Sequence, residues 1–307
     1  MSLLNFGKPK TMSPTTGLGG FLRGYSIEVM PRTAAKVTDF RALLPEGTRV
    51  YIAHIDGTPI EDMVATARRI SGEGFDVMPH FPARSIADTA TLKDWIARYQ
   101  GEAGVTQGLI LAGGISAPTG DFHSSMQLLE TGLFDKAGFT RLHVAGHPEG
   151  SRDIDADGGE AEVMAAARWK QDFSERSDAR MAMVTQFAFE AAPVLDWASR
   201  LRANGIDLPI HIGLAGPAKL QTMIKFAIAC GVGPSLRVLQ KRALDVSKLL
   251  LPYEPTELAA QLAARKAADP GFPIEQAHLF PLGGIKTCAE WATAHGGAAT
   301  RPARRAI

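Results

Sequence analysis

Cysteine is almost missing from this chain, which has two in 307 residues, Cys230 and Cys288. Two thiols build neither a disulfide framework nor a thiolate metal site. Both fall within apolar helical patterns, so buried, reduced cysteine is the expectation. Charge of one sign is missing too. Lys plus Arg numbers 33 against 32 for Asp plus Glu, a formal net charge of +1, and that balance recommends neither nucleic acid nor a membrane surface as a partner. The basic cluster Arg301, Arg304 and Arg305 reads as a solvated tail. Long hydrophobic runs are absent as well: the stretch around Val105–Gly114 is far short of the roughly 20 apolar residues a membrane span needs. No apolar signal-peptide core follows Lys8 and Lys10. The expectation is a cytoplasmic protein, with homo-oligomerisation left open.

What is present is a regular alternation. The chain is 45% hydrophobic and 21% charged, enough to bury a large core. Short apolar runs of strand length occur at Tyr25–Met30, Arg49–Ile55, Asp76–Phe81, Gln107–Gly113, Arg141–His147, Arg180–Phe187, Leu208–Gly213 and Ala277–Leu282. They are rich in Val, Ile, Leu and Met, as parallel strands covered on both faces are. Helical periods lie between them. In Thr58–Gly74, Met63, Ala67 and Ile70 share a face, with Thr58 as N-cap, Pro59 at the first position and Glu61 and Asp62 in the first turn. Pro193–Asn204 repeats the pattern and ends at Gly205.

Eight such pairs predict a closed (β/α)8 TIM barrel rather than an open doubly wound sheet, for which the strand-then-GxGxxG signature is lacking. Extra helices are expected between strands seven and eight, within Leu236–Asp269, split by Pro252-Tyr253-Glu254-Pro255. One domain is expected over residues 21–297, after a loose N-terminal segment (1–20) rich in Gly, Pro, Ser and Thr, and before a tail (298–307).

In such a barrel, chemistry sits where strands end. The polar residues there are Glu28, His54, Asp56, His80, the Gly113-Gly114 turn with Ser116, His147, Glu149 and Gln186, and Gly213 ends strand seven. A carboxylate in an apolar strand needs a partner or a task, and burial is expected to lift the Glu28 carboxyl toward neutrality, as a general acid needs. Gln186 offers donors and an acceptor to a heterocycle edge. His54 and His80 end apolar runs, where a histidine is often a packed core residue. His147 and Glu149 serve equally well in a turn built by Pro148. Gly113 and Gly114 let backbone approach a ligand. Arg176 and Lys170 suit either a phosphate or a solvated helix face. The histidines and Asp56 lack HxxxH or HxH spacing, so no metal site is expected.

Three strand ends carry a family resemblance. Ser26-Ile27-Glu28-Val29-Met30-Pro31 resembles the first strand of methylenetetrahydrofolate reductases, which bears their catalytic glutamate. Val184-Thr185-Gln186-Phe187-Ala188-Phe189-Glu190 is similar to their sixth strand, whose glutamine binds the pterin. Ala145-Gly146-His147-Pro148-Glu149-Gly150 resembles their Tyr-Pro-Glu segment. Further echoes are Pro79-His80, Lys225-Phe226-Ala227 and His278-Leu279-Phe280. The resemblance implies a folate substrate held by Gln186, His80 and Leu220, with Glu28 as the catalytic residue. It implies cofactor contacts from His54, Gly113, Gly114, His147 and Arg176, and NAD(P)H and FAD as electron carriers.

The departures fall on the flavin. The family's Arg-Gly-Asp string after strand four reads Leu111-Ala112-Gly113-Gly114-Ile115-Ser116 here. The phosphate-clamping helix presents Trp169, Asp172 and Arg176 at roughly the usual positions. The expectation is an oxidoreductase interconverting 5,10-methylenetetrahydrofolate and 5-methyltetrahydrofolate with NAD(P)H, with FAD weak or absent. The alternatives are a folate-dependent methyltransferase subunit and a non-catalytic folate-binding relative.

Overall fold

The computed structural model describes residues 14–229 and 252–298. Eight strands form one closed parallel barrel in sequence order: β1 (Ser26–Val29), β2 (Arg49–Ile52), β3 (Asp76–Pro82), β4 (Gln107–Leu111), β5 (Arg141–Gly146), β6 (Arg180–Ala188), β7 (Ile210–Ala215) and β8 (Ile274–Phe280). This is the (β/α)8 architecture the alternation predicts. Helices run outside, among them α1 (Pro14–Leu22), α2 (Pro31–Ala34), α3 (Ile60–Gly72), α4 (Thr89–Ala103), α5 (Ser125–Glu130), α6 (Leu133–Lys136), α7 (Ala161–Ser174), α8 (Ala191–Ala203), α9 (Leu220–Ala229), α10 (Thr256–Ala268) and α11 (Ile285–Ala294). No helix among the described residues is long and apolar enough to cross a membrane.

Several expectations need correction. Residues 14–20 are helical rather than loose: α1 packs on α10 and β8, with Leu18 buried. Between β7 and β8, α9 and α10 are present, and the proposed helix beginning at Leu236 lies outside the described residues, as does Cys230. Helix α3 begins one residue later than expected, with Pro59 at the cap and no side-chain cap bond. Cys288 is wholly buried, and burial pushes its thiol up to about 12.

The strands are not uniformly apolar. One side of each packs against the helices: Ile27, Val29, Val50, Ile52, Val77, Ile110, Leu142 and Val144 all belong to the outer core. Burying each such side chain is worth about 1.5–3 kcal/mol. The alternate residues face the bore, and many are polar. Ser26 pairs in register with Arg49 and His278, Leu109 with His143, and Gly213 with His278. The apolar part of the bore is the small cluster Tyr51, Met78, Leu109 and Val184, where barrels usually stack branched aliphatic layers.

His143, His211 and His278 are at most 1% exposed. Burial, the largest cause, holds all three imidazoles below their ordinary range, His211 at about 4. Their unfolded counterparts titrate near 6.5. The stability these neutral rings contribute is therefore complete above that pH and is lost as pH falls through the folded values. Urea unfolding between about pH 6.5 and 4 should show stability dropping by about 1.4 kcal/mol per pH unit for each such histidine. His211→Gln should flatten that slope. A flat profile in the parent protein would contradict neutral burial.

Strand β6 carries the other departure from regularity. Its register with β7 shifts between Val184 and Phe187. Within the irregularity the Thr185 hydroxyl accepts from Gly213 N at 2.9 Å and donates to Gln186 O at 2.9 Å, replacing ladder bonds the bulge removes. A bulge of this kind re-aims the residue it carries, and here that residue is Gln186. Gly213 makes the bulge possible, because a Cβ there would lie 2.5 Å from Gln186 O. Gly213→Ala should cost about 1–3 kcal/mol as overpacking does, measured by urea unfolding. Unchanged stability would show that the bulge yields freely.

Candidate functional site

The C-terminal ends of the strands open into a cavity of about 1400 Å³. Six of the residues proposed from sequence meet there: Glu28, His80, Gly113, Gly114, His147 and Gln186 all line it. They come from five strand ends separated widely in sequence, and closure of the barrel is what assembles them.

Glu28 is the electrostatic centre. Its Oε2 lies 3.3 Å from His80 Nε2 and 3.6 Å from His278 Nε2, and its side chain is 18% exposed. Burial pushes the carboxyl up, but the attraction and hydrogen bonding of the two imidazoles outweigh it and hold the group at about 2. The expected rise toward neutrality is therefore overturned. Desolvation acts in the expected direction, yet a carboxylate with two imidazoles within 4 Å stays ionised. His278 is fixed from behind by Ser26 Oγ, 2.9 Å from Nδ1.

Gln186 sits exposed at the rim of β6, its Oε1 accepting from Phe187 N at 3.1 Å. That leaves its amide hydrogens directed to the cavity side as donors. His147, half-buried after β5, is depressed to about 4 by burial first and by the nearby Lys170 charge second, so it is neutral at physiological pH. Gly113 has φ +101°, a conformation glycine adopts readily, and it turns the β4 loop along the cavity wall.

Three of the sequence-proposed residues do not line the cavity. His54 Nε2 bonds Thr58 O at 3.0 Å, and its ring stacks on Trp95 with centroids 4.9 Å apart. It fastens the β2–α3 turn. Leu220 is buried in an apolar cluster with Phe187, Tyr253 and Phe280, where the side chain packs under the rim. Arg176 is exposed and lies over the Phe173 and Trp169 rings, at 4.9 and 5.7 Å from their centroids. Its guanidinium rests on those rings and is not part of the cavity lining.

Other residues enter that the sequence reading left out or set aside. Arg84, just after β3, donates to Ile115 O and His123 O and pairs with Asp153 at 2.8 Å, so it ties the β4 and β5 loops together. Lys170 on α7 reaches inward, 4% exposed, and donates to Ala145 O at 2.9 Å. Burial draws its ammonium down to about 8. Among the described residues, no set of three or more His, Cys, Asp or Glu side chains is arranged to hold a metal ion.

The sequence matches no family model. The fold is similar to that of an uncharacterized protein from Clostridium thermocellum that binds two copies of 5-methyl-5,6,7,8-tetrahydrofolic acid. The TM-score is 0.53 at 10% identity, over 92% of this chain and 98% of that one. A mandelate racemase/muconate lactonizing enzyme from Bordetella bronchiseptica RB50 aligns with TM-score 0.41 and 14% identity, over 91% of this chain and 62% of its own. The catalytic domain of a mannanase from Streptomyces sp. SirexAA-E aligns with TM-score 0.45 and 14% identity, over 92% and 87%. The last two are too distant to bear on function, and the first establishes likeness of fold: a TIM barrel.

Proposed function

We propose that the protein binds a reduced folate at the barrel mouth and interconverts 5,10-methylenetetrahydrofolate and 5-methyltetrahydrofolate, with NAD(P)H as electron carrier. The observation that carries this reading is the meeting of Glu28, paired with His80, and Gln186 in one cavity. A pterin edge would take hydrogen bonds from the Gln186 amide while its bridging nitrogen faces Glu28. The likeness to a barrel that binds 5-methyltetrahydrofolic acid supports the ligand class.

The electrostatics assign the proton differently from the sequence expectation. Glu28 does not store a proton at neutral pH; it relays one. In the reducing direction, His80 supplies the proton, Glu28 passes it to the departing nitrogen of the methylene bridge, and the bridge opens to an iminium. A nicotinamide cofactor, when bound, would supply the hydride that completes the methyl group. Atoms and charge balance with one proton and one hydride consumed per turnover. The barrel contributes positioning; His147, neutral at physiological pH, offers the bound rings a donor and an acceptor without a charge.

The residues present fit a flavin diphosphate poorly. Arg176 lies over the Phe173 and Trp169 rings and is not part of the cavity lining, and the Arg84 guanidinium is committed to Asp153 and two carbonyls. Glu149 and Glu162 line the cavity beside Arg152 and Lys170, and each lining carboxylate repels phosphate increasingly as water is excluded. FAD is therefore expected to bind at least tenfold more weakly than at nanomolar affinity, a loss of about 1.4 kcal/mol or more. Stoichiometric FAD retained by purified protein through dialysis would contradict this.

Non-catalytic folate binding is the second reading. It is favoured by the size of the cavity, about 1400 Å³ against the roughly 300–1,000 Å³ of single-ligand pockets. NAD(P)H oxidation dependent on methylenetetrahydrofolate separates the two. On the redox reading, Glu28→Gln should cut that turnover by about 10²–10⁴-fold, with folate affinity within a few-fold of the parent. Turnover unchanged in Glu28→Gln would remove Glu28 from the mechanism, and no turnover in the parent would leave the binding reading.

A further inference from the structure

The bore beneath Glu28 holds a file of polar groups that the proposed chemistry at the mouth does not itself use. Starting from Glu28, His278 Nε2 is 3.6 Å from the carboxylate, and its Nδ1 meets Ser26 Oγ at 2.9 Å. The Tyr51 ring packs against the His278 ring, centroids 4.4 Å apart. The Tyr51 hydroxyl lies 2.5 Å from His143 Nδ1. The His143 and His211 rings meet edge to face, centroids 4.7 Å apart. His211 Nε2 is 3.4 Å from Glu275 Oε2, and the Glu275 side chain is 33% exposed near the start of β8. That end of the barrel is opposite the cavity. The file thus runs from one end of the barrel to the other.

We propose that this file is a proton path, which connects Glu28 with solvent at the N-terminal end of the barrel and restores the proton consumed at the mouth while a bound ligand covers the front. The proposal rests on the reading of Glu28 as a proton-handling group. Every interior member can take a proton on one side and release another on the far side: neutral imidazoles carry one donor and one acceptor nitrogen, and hydroxyls do both. Burial keeps the imidazoles in that neutral form, and the cationic Arg49 and Arg141 beside His143 act in the same direction. One proton enters at Glu275, one leaves at Glu28, and the interior groups end with their hydrogens shifted by one place, to be reset by rotation.

The packing supports a path over a merely filled bore. Imidazoles, a phenol and a hydroxyl stand where branched aliphatics usually stack. Leaving a buried polar group unpaired costs about 1–3 kcal/mol. His143 Nε2, both ring nitrogens of His211 and His278 Nε2 have no hydrogen-bond partner among the described residues. Hydrogen bonds join His278 to Ser26 and Tyr51 to His143, and the remaining steps, at 3.4 Å or more or between rings in contact, wait on side-chain motion.

Two variants interrupt the file far from the cavity. Tyr51→Phe removes the central hydroxyl and keeps the ring that packs on His278 at 4.4 Å. Glu275→Gln acts at the exposed entrance, so the test survives if Tyr51→Phe does not fold. If methylenetetrahydrofolate-dependent NAD(P)H oxidation occurs, each variant should lower kcat about tenfold or more, with KM within about threefold and a larger solvent deuterium isotope effect on kcat. Unchanged kcat and isotope effect in both would overturn the path. If the parent shows no turnover, the redox reading fails, and the path is read separately from histidine ring N–H exchange by NMR on the ¹⁵N-labelled protein. Exchange of the His143 ring proton within milliseconds, slowed at least tenfold when both substitutions are combined, would support it. Ring protons that persist for minutes in the parent, or exchange unaffected by the combined substitutions, would overturn it.

Discussion

The site depends on one charge kept inside a barrel. An ionised carboxylate near the top of β1 is expensive to desolvate unless cations or donors face it, and Glu28 has His80 from β3 and His278 from β8 within 4 Å. The requirement explains more than the two contacts. His278 is adjacent to Ser26 in the β1–β8 register, which lets the hydroxyl hold its other nitrogen. His80 extends from β3 over the same opening. Three strands are thereby committed to one electrostatic arrangement, and the barrel must close between β1 and β8 for it to exist. A carboxyl held down in this way is ionised at neutral pH.

Much of the fold was legible in the sequence because hydrophobic period reports it directly. The eight strand runs and the helices between them follow from spacing, and in a barrel the strand ends locate the mouth. Glu28, His80, Gly113, Gly114, His147 and Gln186 were found that way, with family resemblance sharpening the choice. What stayed hidden was the interior. His143, His211 and His278 lie inside runs read as continuous and apolar, although Arg49-Val50-Tyr51-Ile52 and Arg141-Leu142-His143-Val144 alternate strictly. That period of two, with polar residues on the inner set, was the available signal. The sign of the Glu28 shift was hidden for a different reason. Burial can be inferred from one strand, but its opponents, His80 and His278, are brought near only by closure of the barrel.

The residues that failed as site members failed through local packing. His54 ends its strand as expected, yet Trp95 from α4 offers a stacking face and Thr58 an acceptor, and the ring is taken by both. Arg176 lies one turn beyond the part of α7 that faces the cavity and rests on Phe173 instead. Lys170, considered for a solvated face, is the residue of that helix that points inward and interacts with Ala145 at the end of β5. Arg176 falls beyond the last residue of α7, Ser174, whereas Lys170 sits within it. Lys170 thus joins Arg84 and Arg152 among the cations lining the cavity, close to the neutral His147.

The central claim is that a reduced folate lies across the mouth with its pterin between Gln186 and the Glu28–His80 pair. A crystal structure of the protein with 5-methyltetrahydrofolate tests it most directly. The account predicts the pterin within hydrogen-bond distance of the Gln186 amide and the methyl-bearing nitrogen facing the Glu28 carboxylate. Folate bound away from both residues, or a cavity left empty at millimolar folate, would contradict it.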